Sequence, residues 1–356
     1  MSSGFRFRFP RRLDYVCIVW FWATMCSFTA IGILHVFPVV YANASASSLT
    51  WHHVIVYVTF FEVAVNWLCI RFVQSTFKPD DYASKHPGEG ASGGYEINWN
   101  HLKQGPEEGK YSLPVSSMKP LNGTGSGDEL SSRTLYVVEM TAGEAGFDDG
   151  DGDGGEAADR RRYVCPYWAW NPCRQCRADR PPRAHHCPVC RACVLKRDHH
   201  CAFTGTCVGV RNQRHFVVFT FWVALATLYS LAHALWYGLV HFLPRNSPYD
   251  VLLPLTLLRW GFGRVATFDV VLVALFYSLV FFFFFSVIFF VNQMGLVMEG
   301  LTSFESSNEV KVKVAASTSD NIRGVFGDYW LYNFIVPLHN VFPCYDDGVT
   351  WPKVKV

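Results

Sequence analysis

Four long apolar runs divide the chain, and most of the charge falls between and outside them. The runs are Val16–Val40, Val54–Val73, Phe216–Leu243 and Phe268–Val291. A helix rises about 1.5 Å per residue, so about 20 apolar residues cross a hydrocarbon core about 30 Å thick. Each run meets that length. The fourth is the most uniform, with consecutive phenylalanines from Phe281 to Phe285. Uncharged, aromatic runs of this length predict membrane-spanning helices, in which every backbone polar group is paired internally. His35 and Pro38 lie near the far end of the first run. Glu62, Asn66 and Arg71 are polar positions in the second. Glu62 and Asn66 are four apart and share a helix face, which predicts an interhelical polar contact. The first run is too long for a signal peptide and lacks a small-residue cleavage site, so no cleaved leader is expected.

Charge orients the spans. Arg6, Arg8, Arg11 and Arg12 precede the first, whereas the segment Ala42–Thr50 after it has no charge. Positive-inside counting puts the N-terminus in the cytosol. Four spans then place Gln74–His215 and the C-terminal tail on the same side. Arg245, Arg259 and Arg264 in the loop between the third and fourth spans run against this rule.

Between the second and third spans the composition changes twice. Lys85–Gly127 and Gly143–Asp159 are rich in Gly, Ser, Pro and acid, with the run Asp148-Asp-Gly-Asp-Gly-Asp153. Such stretches bury too little apolar surface to fold alone and predict a solvated linker. The acidic run lacks the ligand register and helix pair of a calcium loop. Thr134–Met140 between them reads as a short strand. No internal repeat is apparent. The net charge of +2 and the scattered basic residues exclude a nucleic-acid surface, which needs a clustered basic face.

Cysteine usage adds the chemistry. Of 12 cysteines, eight fall from Cys165 to Cys207. The order is Cys173-x2-Cys176, then His185-His186-Cys187-x2-Cys190-x2-Cys193, then Asp198-His199-His200-Cys201, then Cys207. Two Cys-x2-Cys knuckles with further Cys and His nearby point to metal rather than disulfides, because two thiolates reach one tetrahedral ion from a tight turn. The donors outnumber what one zinc can take, and two sites need eight. In an extended stretch, alternate side chains face opposite ways. If His200 turns to a metal, His199 and Cys201 share the other side. A thiol beside an imidazole beside an acid, Asp198, is the arrangement of nucleophile, base and orienter in covalent catalysis. Residue chemistry alone leaves this reading level with a second, in which Asp198–Cys201 is one more piece of a metal module.

Asp198-His199-His200-Cys201, following Arg180-Pro-Pro-Arg183-Ala-His185-His186-Cys187, resembles the DHHC family of protein S-acyltransferases (palmitoyltransferases). Cys207-Val-Gly209-x2-Asn212-x3-Phe216 fits the same family. After the fourth span, Thr302-Ser303-Phe304-Glu305 resembles its Thr-Thr-x-Glu motif. Asn321-x3-Val325-Phe326-Gly327 resembles its C-terminal motif, whose asparagine braces the juxtamembrane region. The resemblance implies Cys173, Cys176, His186 and Cys193 as ligands of one zinc, and Cys187, Cys190, His200 and Cys207 as ligands of the other. It implies Cys201 as the residue that takes a palmitoyl group from acyl-CoA and passes it to cysteines of membrane-proximal proteins, with His199 and Asp198 assisting. It further implies basic cytosolic residues at the acyl-CoA head group, with Arg180, Arg183, Lys196 and Arg197 as candidates. Three features depart from the family pattern. Ala202-Phe203 replaces the usual Pro-Trp, Thr204-Gly205-Thr206 replaces an Asn-rich stretch, and Lys78-Pro79-Asp80-Asp81 stands where Asp-Pro-Gly is usual.

The resulting expectation is an all-α polytopic membrane protein of four transmembrane helices, with a small cytosolic two-zinc domain between helices 2 and 3. Its divisions are residues 1–74 (N-terminus and two spans), 75–162 (insert), 163–214 (cysteine-rich domain), 215–298 (two spans) and 299–356 (C-terminal region). It is expected in the endomembrane system or the plasma membrane, with both termini cytosolic. The rival function is a catalytically weak zinc-containing scaffold of the same fold. Cys17, Cys26 and Cys69 are expected as small core residues, and Cys344 as an exposed thiol open to acylation.

Overall fold

The computed structural model describes residues 11–78, 173, 175–176, 178–307, 317–335, 345–349 and 351, and strand backbone within 95–166 and at 171–172. Four helices are long and apolar enough to cross a membrane: Leu13–Val40, Ala46–Phe72, Gln213–Phe242 and Thr267–Glu299. Each begins before its apolar block, and the fourth also continues eight residues beyond it. The second starts at Ala46, where the Ser45 hydroxyl accepts from Ser48 N–H at 3.3 Å. The fourth ends at Gly300, whose φ of 74° is the left-handed cap that residues with a Cβ disfavour. A Cβ at Gly300 would also come within 2.7 Å of Asn321 Oδ1. The Asn321 amide donates to Met298 O at 2.9 Å and ties the C-terminal helix Thr318–Phe326 to the end of this span.

The first, second and fourth spans pack around the third. Phe21, Met25, Val63, Ile70, Phe216, Phe219, Val223 and Phe282 form one apolar cluster, and Cys201 belongs to it. Glu62 and Asn66 are both buried, but they bond to each other within one helix. Asn66 Nδ2 donates to Glu62 O at 2.9 Å and to Oε2 at 3.3 Å. That local solution replaces the expected interhelical contact. Cys17 and Cys69 are partly buried, whereas Cys26 faces outward from the bundle, toward where lipid would lie, and is not a core residue. Cys344 lies outside the described residues.

In the loop between the third and fourth spans, Arg259 pairs with Asp250 at 2.8 Å. Arg245 donates to His241 O at 2.7 Å and to the Tyr237 hydroxyl at 3.2 Å. Two of the three arginines that oppose the positive-inside count are therefore already partnered. In the insert, Met118–Pro120, Tyr95–Ile97, Arg160–Pro166 and Leu135–Thr141 form an antiparallel sheet in that order. The expected strand at Thr134–Met140 lies on its last member. Lys85–Gly127, expected as a solvated linker, supplies Tyr95–Ile97 and Met118–Pro120 to this sheet and pairs Lys103–Gln104 with Tyr111–Ser112, because strands from beyond the run give its backbone partners that it lacks alone. The acidic run Gly143–Asp159 lies outside the described residues.

A small domain of short hairpins sits between the second and third spans. Asn212 joins it to both. Its side chain accepts from Gly209 N–H at 2.8 Å and donates to Ile70 O at 3.1 Å and Cys207 O at 3.0 Å. Gly209 is required because a Cβ there would stand 2.6 Å from Leu195 O.

Candidate active site and metal centres

The hairpin domain contains a repeat that the sequence reading misses. Cys173-x2-Cys176-x9-His186-x6-Cys193 recurs 14 residues later as Cys187-x2-Cys190-x9-His200-x6-Cys207. The backbone repeats too. His185–Cys187 pairs with Ala192–Val194 so that His186 faces Cys193. His199–Cys201 pairs with Thr206–Val208 so that His200 faces Cys207. The turn bonds coincide, with Arg191 N–H donating to Cys187 O at 2.7 Å and Gly205 N–H to Cys201 O at 2.9 Å. Arg191 and Gly205 both adopt positive φ, at 55° and 62°. The two ligand sets interleave in sequence, and that interleaving hides the period.

Each set of four brings its donor atoms within 4.8 Å of one another. In a tetrahedral zinc site with Zn–S of about 2.3 Å and Zn–N of about 2.0–2.1 Å, ligand edges measure about 3.5–3.8 Å. The observed edges match. His200 Nδ1 lies 3.7, 3.3 and 3.6 Å from the sulfurs of Cys187, Cys190 and Cys207. His186 Nδ1 lies 3.6 and 3.3 Å from those of Cys173 and Cys176, and Cys193 and Cys176 are 3.7 Å apart. Three thiolates and one imidazole, all used, make a closed set of the structural type.

The same period explains the leftover thiol. One more step of 14 from Cys187, Cys190, His200 and Cys207 reaches Cys201, Thr204, Arg214 and Phe221. Only the first is a metal donor, so no third site forms and Cys201 is not consumed. Its side chain is buried in the apolar cluster, at the end of the spans that meets the hairpin domain.

Asp198 and His199 stand beside it. Asp198 is buried, and its Oδ2 lies 2.6 Å from His199 Nδ1. That leaves Nε2 for Cys201. Nε2 makes no hydrogen bond of standard geometry and is shielded from solvent. Burial pushes the His199 pKa down, but the hydrogen bond to Asp198 and the neighbouring Cys201 lift it to about 9. Burial pushes the Cys201 thiol up, and His199 outweighs it and holds the thiol below its ordinary value. Phe216 packs edge-on against the imidazole, with ring centroids 4.8 Å apart.

Asp198 is itself held by two residues from beyond the domain. Ser303 donates its N–H to Oδ1 at 2.6 Å and its hydroxyl to Oδ2 at 2.9 Å. Gln293 on the fourth span donates to Oδ2 at 2.8 Å and to Ser303 Oγ at 3.0 Å. The four residues of the Thr302–Glu305 motif divide their contacts. Glu305 N–H bonds to Thr302 Oγ1 at 3.2 Å, Ser303 holds Asp198, and Phe304 packs at a tilt against His185 with centroids 3.9 Å apart. Glu305 takes Arg183 through Nε–Oε1 and Nη2–Oε2 contacts, each of 2.6 Å. Gln293 carries no motif, and it follows Asn292 just past the fourth apolar run, where nothing in the sequence marks it.

The basic candidates separate. Arg183 is buried on Glu305 and on Gly300 O at 2.8 Å. Lys196 is buried and pairs with Asp346 at 2.7 Å. Both are spent on structure and leave the set of head-group contacts. Arg180 and Arg197 remain half-buried.

The second span grips the turn after Cys201. Trp67 Nε1 donates to Phe203 O at 3.0 Å, and Arg71 donates to Gly205 O at 3.3 Å. Farther into the bundle lies a largely apolar cavity of about 260 Å³, walled by all four spans. Met25 and Val63 belong both to its wall and to the cluster around Cys201.

This geometry coincides with what comparison finds. A family model described as DHHC palmitoyltransferase matches residues 169–310. Residues 169–310 are thus a domain of that family, set in a chain with four helices long and apolar enough to span a membrane and two cysteine–histidine clusters between the second and third that could hold metal. It is 33% identical to palmitoyltransferase ZDHHC22 of Rattus norvegicus over 164 residues, 45% of this chain and 62% of that protein. Against the Homo sapiens protein of the same name the values are 32% over 189 residues, 52% and 66%. Against that of Danio rerio they are 32% over 172 residues, 48% and 57%. The match thus spans somewhat over half the length of each relative.

Proposed function

We propose that the chain is a protein S-acyltransferase that carries a long-chain acyl group, palmitoyl in the first instance, on Cys201. One observation supports this above the others. Cys201 is the single thiol of the repeat that neither metal cluster uses, and it lies beside the Asp198–His199 pair. The family model matched at residues 169–310 and the relatives' names agree with it.

In this reading the Cys201 thiolate attacks the carbonyl carbon of an acyl-CoA. The new C–S bond forms as the bond to CoA sulfur breaks, and His199, oriented by Asp198 through Nδ1, returns a proton to the departing thiolate. The acyl chain enters the cavity walled by the four spans, and the head group meets Arg180 and Arg197. A cysteine on a membrane-bound protein then attacks the Cys201 thioester and releases Cys201. One thioester replaces another, so no further energy source is needed. Cys173, Cys176, His186 and Cys193 would hold one zinc, and Cys187, Cys190, His200 and Cys207 the other. Their contribution is to fix the hairpins. The five sequence divisions, the reducing cytosolic side for the cluster and the cytosolic termini belong to the same proposal.

Purified protein incubated with labelled palmitoyl-CoA tests it. Hydroxylamine-labile label on Cys201, absent in Cys201→Ser, is expected. Equal labelling of the variant, or none in the parent, would turn the reading toward a zinc-containing scaffold.

A further inference from the structure

The two metal clusters are built alike but are not supported alike. His200 presents Nδ1 to its three sulfurs, and its Nε2 lies 3.1 Å from Asp14 Oδ2. Asp14 stands at the start of the first span, 186 residues away in sequence. It is 7% exposed, and its second oxygen, Oδ1, is buried with no hydrogen-bond partner among the described residues. His186, the equivalent residue of the first cluster, has no carboxylate against its ring among the described residues. A charged group this enclosed is costly unless something positive compensates it. A zinc-bound imidazole supplies that, because coordination at Nδ1 fixes the proton on Nε2 and polarises the N–H.

We infer that Asp14 is the carboxylate behind the second metal site, and that through His200 it is a positioning residue for Cys201. His200 and Cys201 are adjacent on one strand, so fixing the imidazole fixes the strand that carries the thiol. The first span touches the same hairpin again beyond it. A Cβ on Gly205 would meet Ile18 Cδ1 at 2.9 Å and Asp14 Cβ at 3.9 Å. The contact therefore fastens a membrane helix to the metal site that adjoins the nucleophile, and the first cluster is left to its own four ligands. A carboxylate placed this way raises imidazole basicity and slows loss of the ion, and its removal costs about 10–100-fold in metal affinity. The part concerning Cys201 rests on the functional reading above; the part concerning metal does not.

The test uses full-length protein in micelles, with Asp14→Asn, Asp14→Ala and Asp14→Glu. Zinc transfer to a colorimetric chelator is followed in time, and mass spectrometry identifies which cysteines become alkylated as each ion leaves. In Asp14→Asn, one ion is expected to leave about 10–100-fold faster with exposure of Cys190 and Cys207, while the ion held by Cys176 and Cys193 leaves at the parent rate. Asp14→Glu, which keeps the charge, is expected to restore most of the slow release. Asparagine preserves shape, so the comparison survives if Asp14→Ala fails to fold. Release of both ions at the parent rate, or faster exposure of Cys176 and Cys193 instead, overturns the inference. Acylation is scored separately. Label on Cys201 is expected to fall in Asp14→Asn and return in Asp14→Glu. Absence of any label in the parent defeats the functional reading and leaves the zinc result intact.

Discussion

The hairpins at His185–Cys187 and His199–Cys201 share sequence, register and turn geometry, yet one is scaffold and the other carries the candidate chemistry. Three substitutions at equivalent places account for the difference. Ala184 stands where the second copy has Asp198, Cys190 where it has Thr204, and Pro188 where it has Ala202. Cys187 has its Cys-x2-Cys partner and becomes a ligand; Cys201 has lost that partner and stays free. His185 has no acid before it. Burial and the nearby Arg180 and Arg197 drive its pKa down to about 3, whereas His199 is held at about 9. One repeated unit thus yields a thiol free of both metal clusters, beside a histidine–carboxylate pair, through absence of a ligand and presence of one carboxylate.

The sharpest break of the comparison is to remove the equivalent thiols. Cys201→Ser should abolish the hydroxylamine-labile label and leave two zinc ions per chain by elemental analysis. Cys187→Ser should lose an ion and unfold the domain, since zinc contributes on the order of 10 kcal/mol to small metal-dependent folds. Loss of metal from Cys201→Ser would show that the two hairpins are not divided as described.

The equivalent histidines come next. His199→Ala should slow acyl uptake by about 10²–10⁴-fold, the range for a general acid–base residue, with both ions retained. His185→Ala should leave the rate within a few-fold, because that ring packs on Phe304 and does not face the thiol. Rapid-quench labelling separates the two, and similar rate losses would remove the distinction between the copies.

A smaller effect is expected at Gln293. Gln293→Leu removes one of the donors to Asp198 and leaves the Ser303 pair in place. A hydrogen bond to a charged group is worth about 1.5–3 kcal/mol, so a loss of about 10–100-fold in acyl uptake is the upper range, with zinc content unchanged. An unchanged rate would mean that Ser303 alone orients Asp198.

What the sequence revealed follows the range of the physics involved. The spans were legible because bilayer thickness sets a length that few soluble helices match. The ligands were legible because thiolate chemistry and knuckle spacing are local. The 14-residue period was also present in the spacing, but the ligands of the two sites alternate along the chain and blur it. Residues whose partners are distant were not legible. Arg183 read as a free cation because Glu305, which neutralises it, lies 122 residues away. Asp14 and Gln293 carried no sequence signal for the same reason. The Glu62–Asn66 pair failed in the opposite sense, because the fold satisfied it within one helix turn and no second helix was needed.

The finest test concerns the turn after each cysteine. In the first copy Pro188 stiffens it; in the second the equivalent Ala202 cannot. Instead the second span supplies the restraint from outside, with Trp67 on Phe203 O and Arg71 on Gly205 O. Trp67→Phe keeps an aromatic ring and removes only the indole donor. A neutral hydrogen bond contributes about 1 kcal/mol, which corresponds to about a fivefold slower acylation if the bond serves to aim Cys201. Proline at 202 should compensate. It restricts the residue before it to extended backbone, and Cys201 already lies on a strand. The double variant Ala202→Pro, Trp67→Phe should therefore recover most of the lost rate, while Ala202→Pro alone changes little. If proline does not rescue, the Trp67 bond matters for packing of the span and not for the aim of the thiol. The two turns would then differ in sequence without exchanging one restraint for another.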